Sequence, residues 1–193
     1  MTPQIRSLLK EIEDFGHAHD ANEPEHSRRM LNLEPPTAEL VSILAQSSRA
    51  RRAIEIGTSN GYSTIWLAAS LKPSGGRVVS IDRNPWKHQM ARDNLSQAGL
   101  LDAVDLLCGD AADVIAALPG PFDFVFFDAD RTSAPGQLKL ILPKLARPAL
   151  ILADNALSHP DQIAGYLAAI QSLNFQQVIV PVGKGLSVAY APA

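Results

Sequence analysis

The chain reads as an α/β protein on a mostly parallel, seven-stranded sheet with helices on both faces. Two observations predict this. Short apolar runs alternate with helix-length segments along most of the 193 residues, the pattern of right-handed βαβ units around a buried sheet. The last two apolar runs are instead joined by a short Gly-Lys-Gly turn, which suits an antiparallel hairpin at the sheet edge.

In chain order, helix patterns near Pro3–Ala18 and Pro36–Ser48 come first. Strand-like runs follow at Arg52–Ile56, Arg77–Ile81, Val104–Cys108, Phe122–Phe127, Ala149–Ala153 and Gln177–Pro181. Leu186–Tyr190 closes the series after Gly183 and Gly185. Helix-like segments separate the first six runs: Tyr62–Leu71, Pro85–Ala98, Ala111–Leu118, Pro135–Ala146 and Asp161–Leu173. At this length a single domain over 1–193 is expected, large enough to bury about 70% of its unfolded surface.

Apolar residues make up 46% and charged residues 19% of the chain, which excludes a disordered polymer. A formal net charge of −3, with no Lys/Arg cluster, argues against a nucleic-acid partner. A single cysteine, Cys108, excludes an intramolecular disulfide framework and a cysteine zinc site. It is expected as a buried small hydrophobe. No run approaches the ~18 apolar residues of a membrane span. The N-terminal stretch is charged from Arg6 onward and lacks a signal-peptide core. A cytoplasmic protein with no membrane partner is the expectation.

In such sheets ligands bind at the carboxyl ends of the strands, near the point where strand order reverses. Polar residues recur at that rim: Gly57-Thr58-Ser59-Asn60-Gly61, Asp82, Gly109-Asp110, Asp128-Ala129-Asp130-Arg131 and Asp154-Asn155. Each alone suits a cap or a turn; five at one rim point to a site.

Gly57 permits a tight turn, and Gly61 opens a helix whose free N–H groups can hold an anion. The segment lacks the Gly-x-Gly-x-x-Gly of nicotinamide enzymes. Glu55 two residues before Gly57, with Ser63 as a hydroxyl donor, suits a smaller anion such as an amino-acid carboxylate; an unliganded strand–helix turn is the alternative. Asp82 lies 25 residues beyond Gly57, where a carboxylate can accept from both hydroxyls of a ribose. It could instead cap the following helix, but Asn84 can do that. Asp110 could accept from an adenine amino group or cap the helix from Ala111.

Asp128 and Asp154-Asn155 end strands that are neighbours in this topology. Strands lie about 4.8 Å apart, so the three side chains could converge on one cation. They are hard ligands, suited to Mg²⁺, Mn²⁺ or Ca²⁺; solvated loop acids are the alternative. His159 follows the Asp154-Asn155 turn and could reach the site, with a surface position near the start of the next helix as the stronger reading; His17, His19, His26 and His88 show no ligand spacing, and Trp66 and Trp86 read as packing residues.

EIGTSNGYSTIWLA, VVSIDRN, GDAADVI, FDFVFFDADR, LILADNAL and GKGLSVAY, taken in order, resemble the cation-dependent small-molecule O-methyltransferases, the group of catechol and caffeoyl-CoA O-methyltransferases and their bacterial relatives. The resemblance runs from about Glu25 to the C-terminus. It implies a Rossmann-like methyltransferase fold, S-adenosylmethionine (SAM) as methyl donor, a small hydroxylated acceptor and a common homodimeric state. By position, Glu55, Gly57, Thr58 and Ser63 would surround the methionine part of SAM and Asp82 its ribose. Asp110 and Ala111 would border the adenine, with Asp130 nearby. Asp128, Asp154 and Asn155 would bind the divalent cation. Met30–Leu40 would correspond to a loop that closes over the donor, and residues 1–50 to a helical segment covering the site.

Several positions depart from that pattern. Arg131 stands where the family usually carries lysine, Ala134 and Gln137 stand for two tyrosines, and Pro148-Ala149 replaces Gly-Gly. A guanidinium does not lose its proton near neutral pH, so Arg131 is expected to stabilise an oxyanion rather than act as a base, beside Asp128. Two other readings compete. One is a metal-dependent nucleotide-sugar glycosyltransferase, on Asp128-Ala129-Asp130. The other is a SAM-binding module that has lost catalysis.

Overall fold

Alternation of apolar runs and helices folds into the expected sheet. The computed structural model describes residues 1–193. Its strands are β1 (Arg52–Ile56), β2 (Arg77–Asp82), β3 (Val104–Cys108), β4 (Phe122–Phe127), β5 (Leu145–Ala153), β6 (Gln176–Val180) and β7 (Leu186–Ala191). They lie in the order β3-β2-β1-β4-β5-β7-β6. The first five pair in parallel, and β7 runs antiparallel to both β5 and β6. Strand order reverses between β1 and β4, so the crevice that such a reversal opens falls beside Gly57 and Asp128.

The helices are α1 (Pro3–Asn22), α2 (Pro35–Ser47), α3 (Tyr62–Leu71), α4 (Pro85–Gln97), α5 (Ala111–Ala117), α6 (Ala134–Ile141) and α7 (Pro160–Ser172). One face of the sheet packs on α1, α2, α3 and Leu95 of α4. The other packs on Ile115 of α5 and on α6 and α7. The two-residue period of a strand divides β4 between them: Phe124 and Phe126 enter the first core, Val125 and Phe127 the second. Both phenylalanines of the first core are fully buried, and truncating either to alanine should cost about 3–5 kcal/mol.

Four expectations change. The helix expected to reach Ala146 ends at Ile141 and gives way to a 3₁₀ turn at Leu142–Lys144, with β5 starting at Leu145. Pro143 has no N–H to offer the carbonyl four residues back, and its ring clashes there. The first helix continues to Asn22, because no breaker intervenes before Glu23, which Pro24 holds in an extended conformation. Cys108 is exposed: it ends β3, an edge strand with one side open. Trp86 is 41% exposed, at the start of α4, with Arg28 over its ring. No helix is long and apolar enough to cross a membrane.

Candidate active site

A cleft of about 990 Å³ opens along the carboxyl ends of the strands. Gly57, Thr58, Ser63, Asp82, Asp110 and Ala111 line one part of it, and Asp128, Asp130, Arg131, Asp154 and Asn155 another. Glu55 alone among the expected residues does not reach it. That side chain is wholly buried under the loop after β1, where Ser80 Oγ (2.6 Å) and Thr64 Oγ1 (2.5 Å) donate to its Oε2. Burial pushes its carboxyl pKa up, against the pull of hydrogen bonds from Ser80, Thr64 and Ser63. Glu55 therefore shapes the loop from beneath.

The loop itself is set by Gly57. Its φ is +110°, and a Cβ there would collide with the carbonyl of Asp128. The close approach that the glycine permits is thus first of all to the neighbouring loop, whose Asp128 N–H donates to Ile56 O at 2.8 Å. Thr58 Oγ1 and Ser80 Oγ lie 2.6 Å apart, which ties the loop to β2. Gly61 then caps α3 in the left-handed conformation.

Asp82 and Asn84 divide their tasks as the spacing suggests. Asn84 caps α4, accepting from Trp86 N and Lys87 N. Asp82 receives Ser59 N–H on Oδ2 and Asn84 N–H on Oδ1, both at 2.8 Å. Two backbone donors fix the carboxylate, and each oxygen keeps a lone pair for a ligand. Asp110 caps α5 by accepting from Ala112 N at 2.8 Å, so the cap, one of its two readings, is realised at the cleft wall. Asp130 turns back on its own loop and accepts from Thr132 and Ser133.

On the β4–β5 side the register pairs Phe127 with Ala153, so Asp128 and Asp154 follow adjacent strand ends. Asp154 is 3% exposed. Its Oδ2 accepts from Asn155 Nδ2 at 2.7 Å, and its Oδ1 is buried without a partner. Burial above all, with Glu34 adding to it, pushes the Asp154 pKa up to about 6, against the backbone N–H of Asn155 and the cations Lys184 and Arg131. Asp128 is driven well above the usual carboxylate range by burial and then by the charge of Asp154. A bound cation would relieve the charge that Asp154 imposes on Asp128. Arg131 lines the same part of the cleft, where its Nε donates to Gln162 Oε1 at 2.9 Å.

The segment before α2 forms a wall of the cleft through Met30, Leu31, Asn32 and Leu33. Asp20 of α1 accepts from Met30 N (2.6 Å) and Leu31 N (2.8 Å), Ser59 Oγ donates to Met30 O (2.7 Å), and Lys87 Nζ donates to Arg29 O (2.5 Å). Lys87, Lys184 and Gln137 also line the cleft, and none stood out in the sequence as a binding residue. Lys184 sits in the Gly-Lys-Gly segment, which reads as a turn and whose match within GKGLSVAY assigns the lysine no role. Elsewhere, Glu13, Asp14 and His17 gather on α1, where both acids pair with Lys10, as on an ordinary solvated helix.

A family model described as O-methyltransferase matches residues 8–179. A catechol O-methyltransferase of Mycobacterium tuberculosis is 41% identical over 116 residues, covering 60% of this chain and 52% of the relative. A second, from Niastella koreensis, is 36% identical over 132 residues, covering 66% of this chain and 59% of the relative. The chain thus spans a little over half the length of these curated relatives. Among solved structures, an O-methyltransferase from Bacillus cereus in complex with SAH superposes with a TM-score of 0.77 at 28% identity, over 96% of this chain and 90% of that one.

Proposed function

The chain belongs to the O-methyltransferase family, and on that footing we propose that it transfers a methyl group from SAM to a hydroxyl oxygen of a small, catechol-like acceptor with the help of a divalent cation. The observation that carries this reading is one continuous cleft wall. It runs from Asp82, anchored by backbone amides, to Asp128 and to Asp154, whose Oδ1 is buried without a partner.

In this reading the donor lies along β1–β3. Asp82 accepts from the ribose hydroxyls through the lone pairs that Ser59 and Asn84 leave free. Gly57, Thr58 and Ser63 face the methionine portion, with Glu55 supporting their loop from below. Asp110, Ala111 and Asp130 border the adenine. The neighbour bound to SAH supports the choice of donor.

The residues at β4 and β5 fit a divalent cation. Asp128, Asp154 and Asn155 offer hard oxygens, and Asp154 Oδ1 is buried without a partner. Mg²⁺ suits such a set, with Mn²⁺ or Ca²⁺ as substitutes. Held there, the cation would lower the pKa of an acceptor hydroxyl. The ionised oxygen attacks the sulfonium methyl in line: an O–CH₃ bond forms, the S–CH₃ bond breaks, and S-adenosylhomocysteine leaves. Arg131, oriented by Gln162, supports the negative oxygen with its fixed charge while the hydroxyl proton passes to solvent. Proximity and alignment in the cleft can lower the barrier by about 7–11 kcal/mol in favourable cases.

The 1–193 chain acts here as one catalytic unit, with residues 1–50 supplying the outer wall. A homodimer in the cytoplasm completes the reading, with exposed Val178, Ile179 and Tyr190 near the β6 edge as apolar surface for the second copy. A sedimentation mass matching one chain would remove the dimer. Incubation with SAM, Mg²⁺ and catechol should yield the monomethyl ether and S-adenosylhomocysteine in equal amounts. SAM binding without transfer to any dihydroxy acceptor would make the protein a binding module instead.

A further inference from the structure

The turn between β6 and β7 carries a charge that the reaction as described leaves unused. Lys184 lines the cleft, and its position is over-determined. Its carbonyl accepts from Leu157 N (2.9 Å) and Ser158 N (3.1 Å), while Gly185 O accepts from Ala156 N (2.8 Å). The turn is thereby docked on the loop that follows Asp154 and Asn155. Its Nζ lies 2.9 Å from Glu34 Oε1. Gly183, at φ +52°, brings the backbone so close to α2 that a Cβ would strike Thr37 Oγ1. Burial pulls the lysine pKa down, but the hydrogen bond and charge of Glu34, with the charges of Asp154 and Asp128, more than reverse that. The result is a charged ammonium held at the cleft by backbone and by a carboxylate, with its side chain still 43% exposed.

The cleft is lined by more polar than apolar residues. No phenylalanine or tryptophan lines the cleft, and its one tyrosine, Tyr62, belongs to α3. Gln137, Asn155, His159 and Lys184 line it instead. An acceptor seated there meets polar and charged groups. Without a metal, Lys184 offsets the charges of Glu34, Asp154 and Asp128; with a cation on those two aspartates, its exposed charge is left for an anionic group on the acceptor.

We infer that the acceptor carries a carboxylate apart from its reacting hydroxyls, and that Lys184, steadied by Glu34, receives it. This rests on the methyl-transfer reading and specifies its substrate class. A carboxylate is a monoanion, which matches a single ammonium that already shares its charge with Glu34. The competing possibility is that Lys184 and Glu34 merely clasp the N-terminal segment to the sheet.

The test compares kcat/KM, with SAM and Mg²⁺, for two matched pairs: 3,4-dihydroxybenzoate with 3,4-dihydroxybenzamide, and 3,4-dihydroxyphenylacetate with its amide. Wild type, Lys184→Met and Glu34→Gln are measured side by side with their melting temperatures. The expected result is a preference for the acid of roughly tenfold in at least one pair, the size of one charge-assisted contact. It should lie chiefly in KM, vanish in Lys184→Met and persist in Glu34→Gln, which keeps the ammonium. Equal use of acids and amides overturns the inference while leaving methyl transfer standing. So does a preference that survives Lys184→Met, or one that both variants lose together with an equal fall in melting temperature. Failure to methylate any of the four overturns the methyl-transfer reading and this inference with it.

Discussion

The two halves of the cleft are built on opposite electrostatic plans. On the β1–β3 side the carboxylates that line the cleft are satisfied by the chain itself, Asp82 by two backbone amides and Asp110 by the start of α5; the orphaned oxygen there, Glu55 Oε1, lies beneath the loop, outside the cleft. On the β4–β5 side buried acceptors are left wanting, at Asp154 Oδ1, Gln137 Oε1 and Glu34 Oε2 behind Lys184. The cleft-lining carboxylates of the first half are held in place before any ligand arrives. The second stores unfavourable charge that a cation and an acceptor would discharge, since a buried polar atom without a partner costs about 1–3 kcal/mol. Changes on the first side should therefore weaken binding of the donor, and changes on the second should stop chemistry while relieving the ligand-free fold.

The largest separation is expected from Asp154→Ala. Turnover should fall at least about a hundredfold, with SAM affinity by calorimetry changed by no more than about threefold. Equal losses in both would erase the distinction between the halves. Next comes the stability of the ligand-free protein. Asp154 has a folded pKa of about 6, above its unfolded value of about 3.9. Its contribution to stability is complete below the unfolded value and is lost as pH rises through about 6. At pH 7.5 the burial of its charge should cost on the order of 2–3 kcal/mol. Melting curves without divalent cations should thus show a gain in stability from this group between pH 7.5 and 4.5. Asp154→Asn should be more stable than wild type at pH 7.5 and less dependent on pH; a variant that melts lower than wild type at that pH would contradict the stored-charge account.

On the other half, Asp82→Ala should weaken SAM binding by roughly 1–3 kcal/mol, with no gain in melting temperature. The smallest effect is expected at Arg131. Arg131→Lys should retain activity, or gain it at neutral pH, because an ammonium beside a cation can release its proton. Arg131→Ala should lose rate through kcat by roughly tenfold. An Arg131→Ala enzyme with wild-type kcat would make this residue a surface arginine.

The same contrast explains what could be read from sequence. The β1–β3 half is legible because its logic is local. Asn84 caps α4 and frees Asp82, and Gly57 and Gly61 bracket a short turn, all within a few residues of a strand end. The adjacency of Asp128 and Asp154 is also legible, because it needs only the parallel neighbours β4 and β5. Lys184 and Glu34 are not. They meet across 150 residues, through the return of β7 between β5 and β6 and the docking of the N-terminal segment, and the GKGLSVAY match around Lys184 gives that side chain no role. Cys108 reads as a buried small hydrophobe, but an edge strand leaves its last residue open to water. Pro143 marks the true end of α6, which the apolar spacing up to Ala146 obscures.

The most direct measurement follows labelled methyl from SAM to a dihydroxy acceptor, in protein stripped of divalent cations and again after Mg²⁺ is returned. The account predicts that the labelled monomethyl ether appears only after the cation is restored, while SAM binding is present throughout. Labelled ether formed at full rate under chelation, or no ether with Mg²⁺ and saturating SAM, would contradict it.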